Sequence, residues 1–165
     1  MTAAPLHARP IDGVAFRPYG DVIAAEGAPD ALVNGGRCGR YHDLARLDFG
    51  DGRAGLSLFE SDGFDPPLAL AMMERHPLGS QAFLPLNGVP MLVVVAEDAG
   101  GAPGPPAAFI TASTQGVNLL RGVWHGVLAP LGPSGLYAVI DRIGPGDNLE
   151  EHRFERPLTV TVPGG

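Results

Sequence analysis

Apolar residues fall in short clusters separated by Gly, Pro, Asn and Asp along most of the chain, a pattern of strands and not of amphipathic helices. The clusters predict strands over residues 54–60, 80–86, 91–96, 107–111, 126–130, 136–142 and 158–162, and seven such strands in a short chain imply a sandwich or a barrel. Asn87-Gly88, between two of them, is a favoured hairpin dipeptide because both positions tolerate positive φ. The segment 40–47, Arg-Tyr-His-Asp-Leu-Ala-Arg-Leu, reads as one helical turn or a short edge helix. The stretch 99–106 is too poor in large apolar side chains to pack and reads as an exposed loop. The charge cluster 147–156 reads as a solvated segment, and Pro163-Gly164-Gly165 as a frayed end.

Composition narrows the function. A length of 165 residues fits one domain, 1–165. Gly and Pro, 24 and 17 residues, make up about a quarter of the chain, but Leu, Ile, Val and Phe also exceed a quarter, enough for a core. All 11 basic residues are Arg. Without a lysine there is no side-chain Schiff base, no pyridoxal-phosphate attachment and no P-loop. A net charge of -7, with no run of basic residues, argues against a nucleic-acid partner. The single cysteine, Cys38, forms no intrachain disulfide, and the first thirty residues lack a secretory pattern. The longest strongly apolar run, 91–96, is far shorter than the roughly 20 residues of a membrane helix. The expectation is a soluble cytoplasmic protein with no membrane partner.

Few side chains suit catalysis. No serine lies in a Gly-x-Ser-x-Gly setting, no Gly-x-Gly-x-x-Gly follows a strand, and nothing places a base beside Cys38. The histidines are more informative. Glu74 and His76 are two residues apart, so on an extended chain both side chains point to one face of a sheet and can converge on one ion. Gln81 and Gly88 complete the pattern Glu74-x-His76-x4-Gln81-x6-Gly88, and Gly122-x2-His125 follows. This spacing resembles the two metal-binding motifs of the cupins, with Glu74 at the place of a first His and Gln81 at the place of a Glu. An alternative is that these residues only satisfy hydrogen bonds within a barrel.

A longer resemblance is carried by Tyr19-Gly20-Asp21-Val22-Ile23, by Arg40-Tyr41-His42-Asp43-Leu44-Ala45, by the block running from Glu74-Arg75-His76 to Ala82-Phe83, by Val123-Trp124-His125, and by Ile140-Asp141-Arg142. In this order they are similar to the ureidoglycolate lyases, from about Phe16 to Asn148. The resemblance implies a mainly β, cupin-type double-stranded β-helix with few short helices, acting without a nucleotide or organic cofactor on a small-molecule substrate and assembling as a homodimer. It implies cleavage of ureidoglycolate to glyoxylate and urea in allantoin breakdown. A divalent metal, nickel, manganese or zinc, would be held by Glu74, His76, Gln81 and His125. Glu74, His76 and His125 would be catalytic, and Arg40, Tyr41, His42, Gln81 and Arg142 would bind substrate. Glu74 could instead be a buried carboxylate paired with an Arg, and Tyr41 and His42 could serve packing or a dimer contact. Strand alternation turns Arg75 away from the metal towards a structural ion pair, and Trp124 is expected to pack the barrel. One departure is Gly126-Val127 after His125, where such enzymes often carry His-Pro. Another cupin enzyme on a small hydroxy or keto acid, and a noncatalytic small-ligand-binding cupin, are the rival readings.

Overall fold

A computed structural model describes residues 4–164, so Gly165 of the expected frayed end lies outside the described residues. The strands, in chain order, are β1 (Leu6–His7), β2 (Arg9–Pro10), β3 (Gly20–Ile23), β4 (Ala31–Val33), β5 (Cys38–Arg40), β6 (Arg53–Asp62), β7 (Leu68–Arg75) and β8 (Gln81–Pro85). They continue with β9 (Met91–Ala96), β10 (Ala107–Ile110), β11 (Gly116–Leu119), β12 (Trp124–His125), β13 (Ala129–Pro130), β14 (Ser134–Ile143) and β15 (Glu150–Thr161). One four-residue helix, α1 (Gly13–Phe16), is capped by Asp12, whose carboxylate accepts from the amides of Val14 and Ala15.

An eight-stranded sheet runs β1-β15-β7-β12-β9-β10-β2, with β13 also on β9, and a five-stranded sheet runs β3-β11-β8-β14-β6. β1 and β2 flank Ala8 and pair in parallel with β15 and β10 respectively, so this short segment bridges the two edges of the larger sheet and nearly closes it. The mainly β, barrel-like architecture is the one the sequence implies. β9 is buried at all six positions. Met91, Val93 and Val95 join Phe83, Phe109, Val117, Tyr137 and Val139 in one core, while Leu92, Val94 and Ala96 join Leu70, Met73, Trp124 and Val160 in a second. A strand covered on both faces has no polar face, which accounts for its unbroken apolar run.

Several elements differ from the sequence reading. Residues 40–47 contain no helical turn: Asp43 has φ of 51°, and the segment is pinned by Arg46, which donates through its backbone amide and Nε to Asp21. Asn87-Gly88 does not close a hairpin, because β8 and β9 belong to different sheets. Asn87 instead accepts from the Leu136 amide and donates to the Ser134 carbonyl, fixing the corner between the sheets. The predicted strand 126–130 is interrupted, with β12 before it and β13 at its end. The charged stretch 147–156 enters β15 and pairs with β7, its Glu150 and Glu151 lying opposite Arg75 and Glu74.

Phe109 is fully buried and meets Phe16 edge-on at 5.4 Å between ring centroids. Replacing Phe109 by Ala is expected to lower the unfolding free energy by about 3–5 kcal/mol, measured by urea denaturation. Loss of the exposed Val14 side chain by the same change should alter it by less than about 0.5 kcal/mol.

Candidate metal centre

The centre forms where the chain crosses from one sheet to the other. β7 ends at Glu74-Arg75, His76 opens the connection, and β8 begins on the second sheet at Gln81. Ser80 holds this crossing: its amide donates to the Asp48 carbonyl and its hydroxyl accepts from the Asp48 amide. β12 lies antiparallel to β7 with His125 opposite Glu74, and β14 lies antiparallel to β8 with Asp141 opposite Gln81. Side chains from two strands of each sheet are thereby aimed into the gap between the sheets.

One ligand atom from each of Glu74, His76 and His125 falls within 4.8 Å of the others. His125 Nε2 stands 3.5 Å from Glu74 Oε1, and the two imidazole centroids are 5.2 Å apart. His76 Nε2 is 3.1 Å from Gln81 Oε1. The outer nitrogens are fixed by carbonyls, which only accept: His76 Nδ1 donates to Asn148 O at 2.7 Å and His125 Nδ1 to Val123 O at 3.2 Å. Each ring therefore turns its Nε2 inward. His125 Nε2 is buried with no hydrogen bond, a state that costs free energy unless another partner meets it. The facing His125 holds the Glu74 carboxyl below its ordinary value and outweighs the opposing effect of burial, so Glu74 is ionised and ready to meet a cation.

These donors fit a metal. Two imidazole nitrogens, a carboxylate and an amide oxygen suit a first-row divalent ion better than magnesium. Behind the His125 ring the space is apolar and small, about 20 Å³, bounded by Phe83, Val93, Val117, Leu119 and Val127. That volume holds about one water and no substrate, so a ligand must approach from the half-buried side of Glu74 and His76. The departure at Gly126-Val127 leaves no second imidazole there. A side chain at Gly126 would meet the Leu70 methyl at 3.0 Å.

The other sequence-predicted residues are placed elsewhere. Arg40 Nη2 is 2.7 Å from His42 Nδ1, the Tyr41 hydroxyl donates to the Gly27 carbonyl, and the His42 amide donates to Asp30. These bonds tie the end of the β4–β5 hairpin to residues 27–30 and do not reach the metal centre. Arg142 follows Asp141 on β14 and so points to the opposite face. Its guanidinium is buried against Gly52 and Gly144 and donates to Asp51 at 2.5 Å, stapling two loops to the sheet. Arg75 also turns away, as alternation predicts, to bridge Asp98 and Glu150 and to stack at 4.6 Å over Trp124. Glu74 pairs with His125 and not with an arginine. Two residues that sequence reasoning passed over are Asn148, whose carbonyl and side chain hold His76 and the Leu78 amide, and Asp141, which accepts from Gln81.

With this geometry in place, comparison with known proteins defines the class. A family model described as ureidoglycolate lyase matches residues 3–161. The ureidoglycolate lyase of Rhodobacter capsulatus is 60% identical over 152 residues, covering 92% of this chain and 94% of that protein. Ureidoglycolate lyase 2 of Rhizobium meliloti is 52% identical, covering 94% and 97%, and the ureidoglycolate lyase of Chelativorans sp. is 47% identical, covering 94% and 96%. The chain belongs to the ureidoglycolate lyase family. Among solved structures, a dTDP sugar isomerase from Desulfovibrio desulfuricans G20 superposes with a TM-score of 0.45 and 17% identity, over 83% of this chain and 84% of that one.

If the centre is a metal site, calorimetric titration of the purified chain with nickel, manganese or zinc should give one bound ion per chain. His125→Ala should abolish that binding while leaving the far-ultraviolet circular dichroism unchanged.

Proposed function

We propose that the chain is a ureidoglycolate lyase that splits ureidoglycolate into glyoxylate and urea, one domain carrying one site. The observation that supports it most is the convergence of Glu74, His76 and His125, with Gln81, in a chain 60% identical over 92% of its length to a ureidoglycolate lyase. A divalent nickel, manganese or zinc ion held by these four residues would supply a Lewis acid for the substrate carboxylate and hydroxyl.

The chain's own groups handle the protons. The reaction moves one proton from the substrate hydroxyl to the departing urea nitrogen, while the C–N bond breaks and a carbonyl forms on the same carbon, so no water is consumed. Glu74, kept ionised, accepts the hydroxyl proton at a carboxylate oxygen and returns it to the leaving nitrogen, and His125 beside it holds that carboxylate in place. Asn148 holds His76, the second imidazole of the centre, in place. Cleavage of ureidoglycolate fits the breakdown of allantoin, to which we assign the enzyme, and we assign it to the cytoplasm. Among the described residues no helix is long and apolar enough to cross a membrane.

The active form in this reading is a homodimer. On the outer face of the five-stranded sheet, Leu56 and Leu58 of β6 are 73% and 64% exposed and stand opposite Ile140 and Ala138 of β14. A sheet face of this kind is an interaction surface. A second copy fits it because β6 carries Arg53 at one end and Glu60 and Asp62 at the other. A two-fold axis that reverses the strand direction sets the basic end of one copy beside the acidic end of its partner.

Racemic ureidoglycolate given to the purified protein should yield glyoxylate and urea in equal amounts, with activity lost on chelation and restored by one of the three ions. His76→Ala at saturating metal should reduce turnover to background. Retained activity in that variant would refute the site, and tight binding of ureidoglycolate without product would favour a noncatalytic binding protein. Light scattering should give twice the chain mass for the wild type and the chain mass for Leu58→Glu.

A further inference from the structure

Gln81 presents a choice that its surroundings settle. The side chain is buried between two neighbours, His76 on one side and Asp141 on the other. An amide has one accepting end and one donating end, so it can satisfy the two neighbours in only one way at a time. The Asp141 carboxylate only accepts, and Gln81 Nε2 donates to its Oδ2 at 3.3 Å. That bond turns Oε1 towards His76 Nε2 at 3.1 Å, so that both atoms point to the place an ion would take. Rotated half a turn, the amide would instead bring its NH2 group onto the His76 nitrogen.

We propose that Asp141 is a positioning residue that locks the Gln81 amide with its oxygen inward, and so keeps His76 Nε2 and Gln81 Oε1 both free for a cation. The proposal rests on the metal reading given above and adds to it a residue that does not touch the ion. Its placement supports the role. Asp141 and Gln81 are directly opposite in the β14–β8 ladder, so the carboxylate is held by strand register and not by a mobile loop. Asp141 lies on the same face of β14 as the core residues Tyr137 and Val139, which aims it between the sheets. In the rotated state the amide would cap His76 and place N–H donors where the ion belongs. Metal would then bind only the fraction of molecules with the amide turned back, and its apparent affinity would fall by that fraction.

Asp141→Asn tests this with little change of shape. An asparagine can donate to Gln81 Oε1 and stabilise the rotated amide. The expected result is a loss of affinity for nickel, manganese or zinc alone of about tenfold or more, read by calorimetry on the purified chain without substrate. In a Gln81→Ala background the same change should have no further effect, because the residue it acts through is gone. Should Asp141→Asn fail to give folded protein, Asp141→Ser is titrated in its place, with the same expectation. Unchanged metal affinity in the single variant overturns the proposal. An equal loss with and without Gln81 also overturns it, since Asp141 would then act on the ion directly. A wild-type chain that binds none of the three ions refutes the metal reading itself, a failure that the wild-type titration alone identifies.

Discussion

β9 is a wall shared by two hydrophobic cores, and the geometry of the site follows from it. Because its odd-numbered and even-numbered side chains are both buried, β9 cannot shift by one residue without exchanging the contents of the two cores. β12 is hydrogen-bonded to β9 with His125 opposite Val95, and to β7 with His125 opposite Glu74. The register of the wall thus fixes where His125 stands and which residue faces it. Behind that pair, on the other side of the sheet, Arg75 is sandwiched between Trp124 and two carboxylates. A rigid backing of this kind holds the imidazole and carboxylate at their separation.

The parts of the fold that can be read from sequence are those whose local pattern agrees with their final surroundings. β9 is one, since six consecutive apolar residues between turns have few alternatives. β7 is not, although it carries the site: Leu, Ala, Met, Glu and Arg are all good helix formers, and only pairing with β15 and β12 makes the segment a strand. β15 is hidden by its charges, which face outward while Val160 enters the core. Glu74, His76 and Gln81 are legible because strand alternation and a short crossing bring nearby residues together, and His125 because it stands in a second motif of the family. Asp141 and Asn148 are not, because each meets its partner across 60 or more residues of chain and nothing local to them marks the contact. The setting of Arg142 is also hidden from sequence: its guanidinium is admitted by Gly52 and Gly144, which lie far along the chain or past a bend.

A chain whose only strong cations are guanidinium groups uses them mostly as architecture. Arg46 fastens the irregular segment after the hairpin to Asp21, Arg121 holds Asp48 beside the crossing, and Arg142 joins two loops to β14. Planar groups with several fixed donors suit such work better than a flexible ammonium. The centre itself contains no arginine among its converging side chains, so its positive charge must come from protons on the imidazoles or from an ion.

The pairing of β1 with β15 joins residues more than 150 positions apart, and β15 also supplies one of the two edges that hold β7. During synthesis, therefore, the strand bearing Glu74 leaves the ribosome early and stays uncovered along that edge until residues 150–161 have been made. This late strand completes the frame of a site whose ligands were translated long before it, and a nascent chain arrested earlier would expose β7 to pairing with other chains.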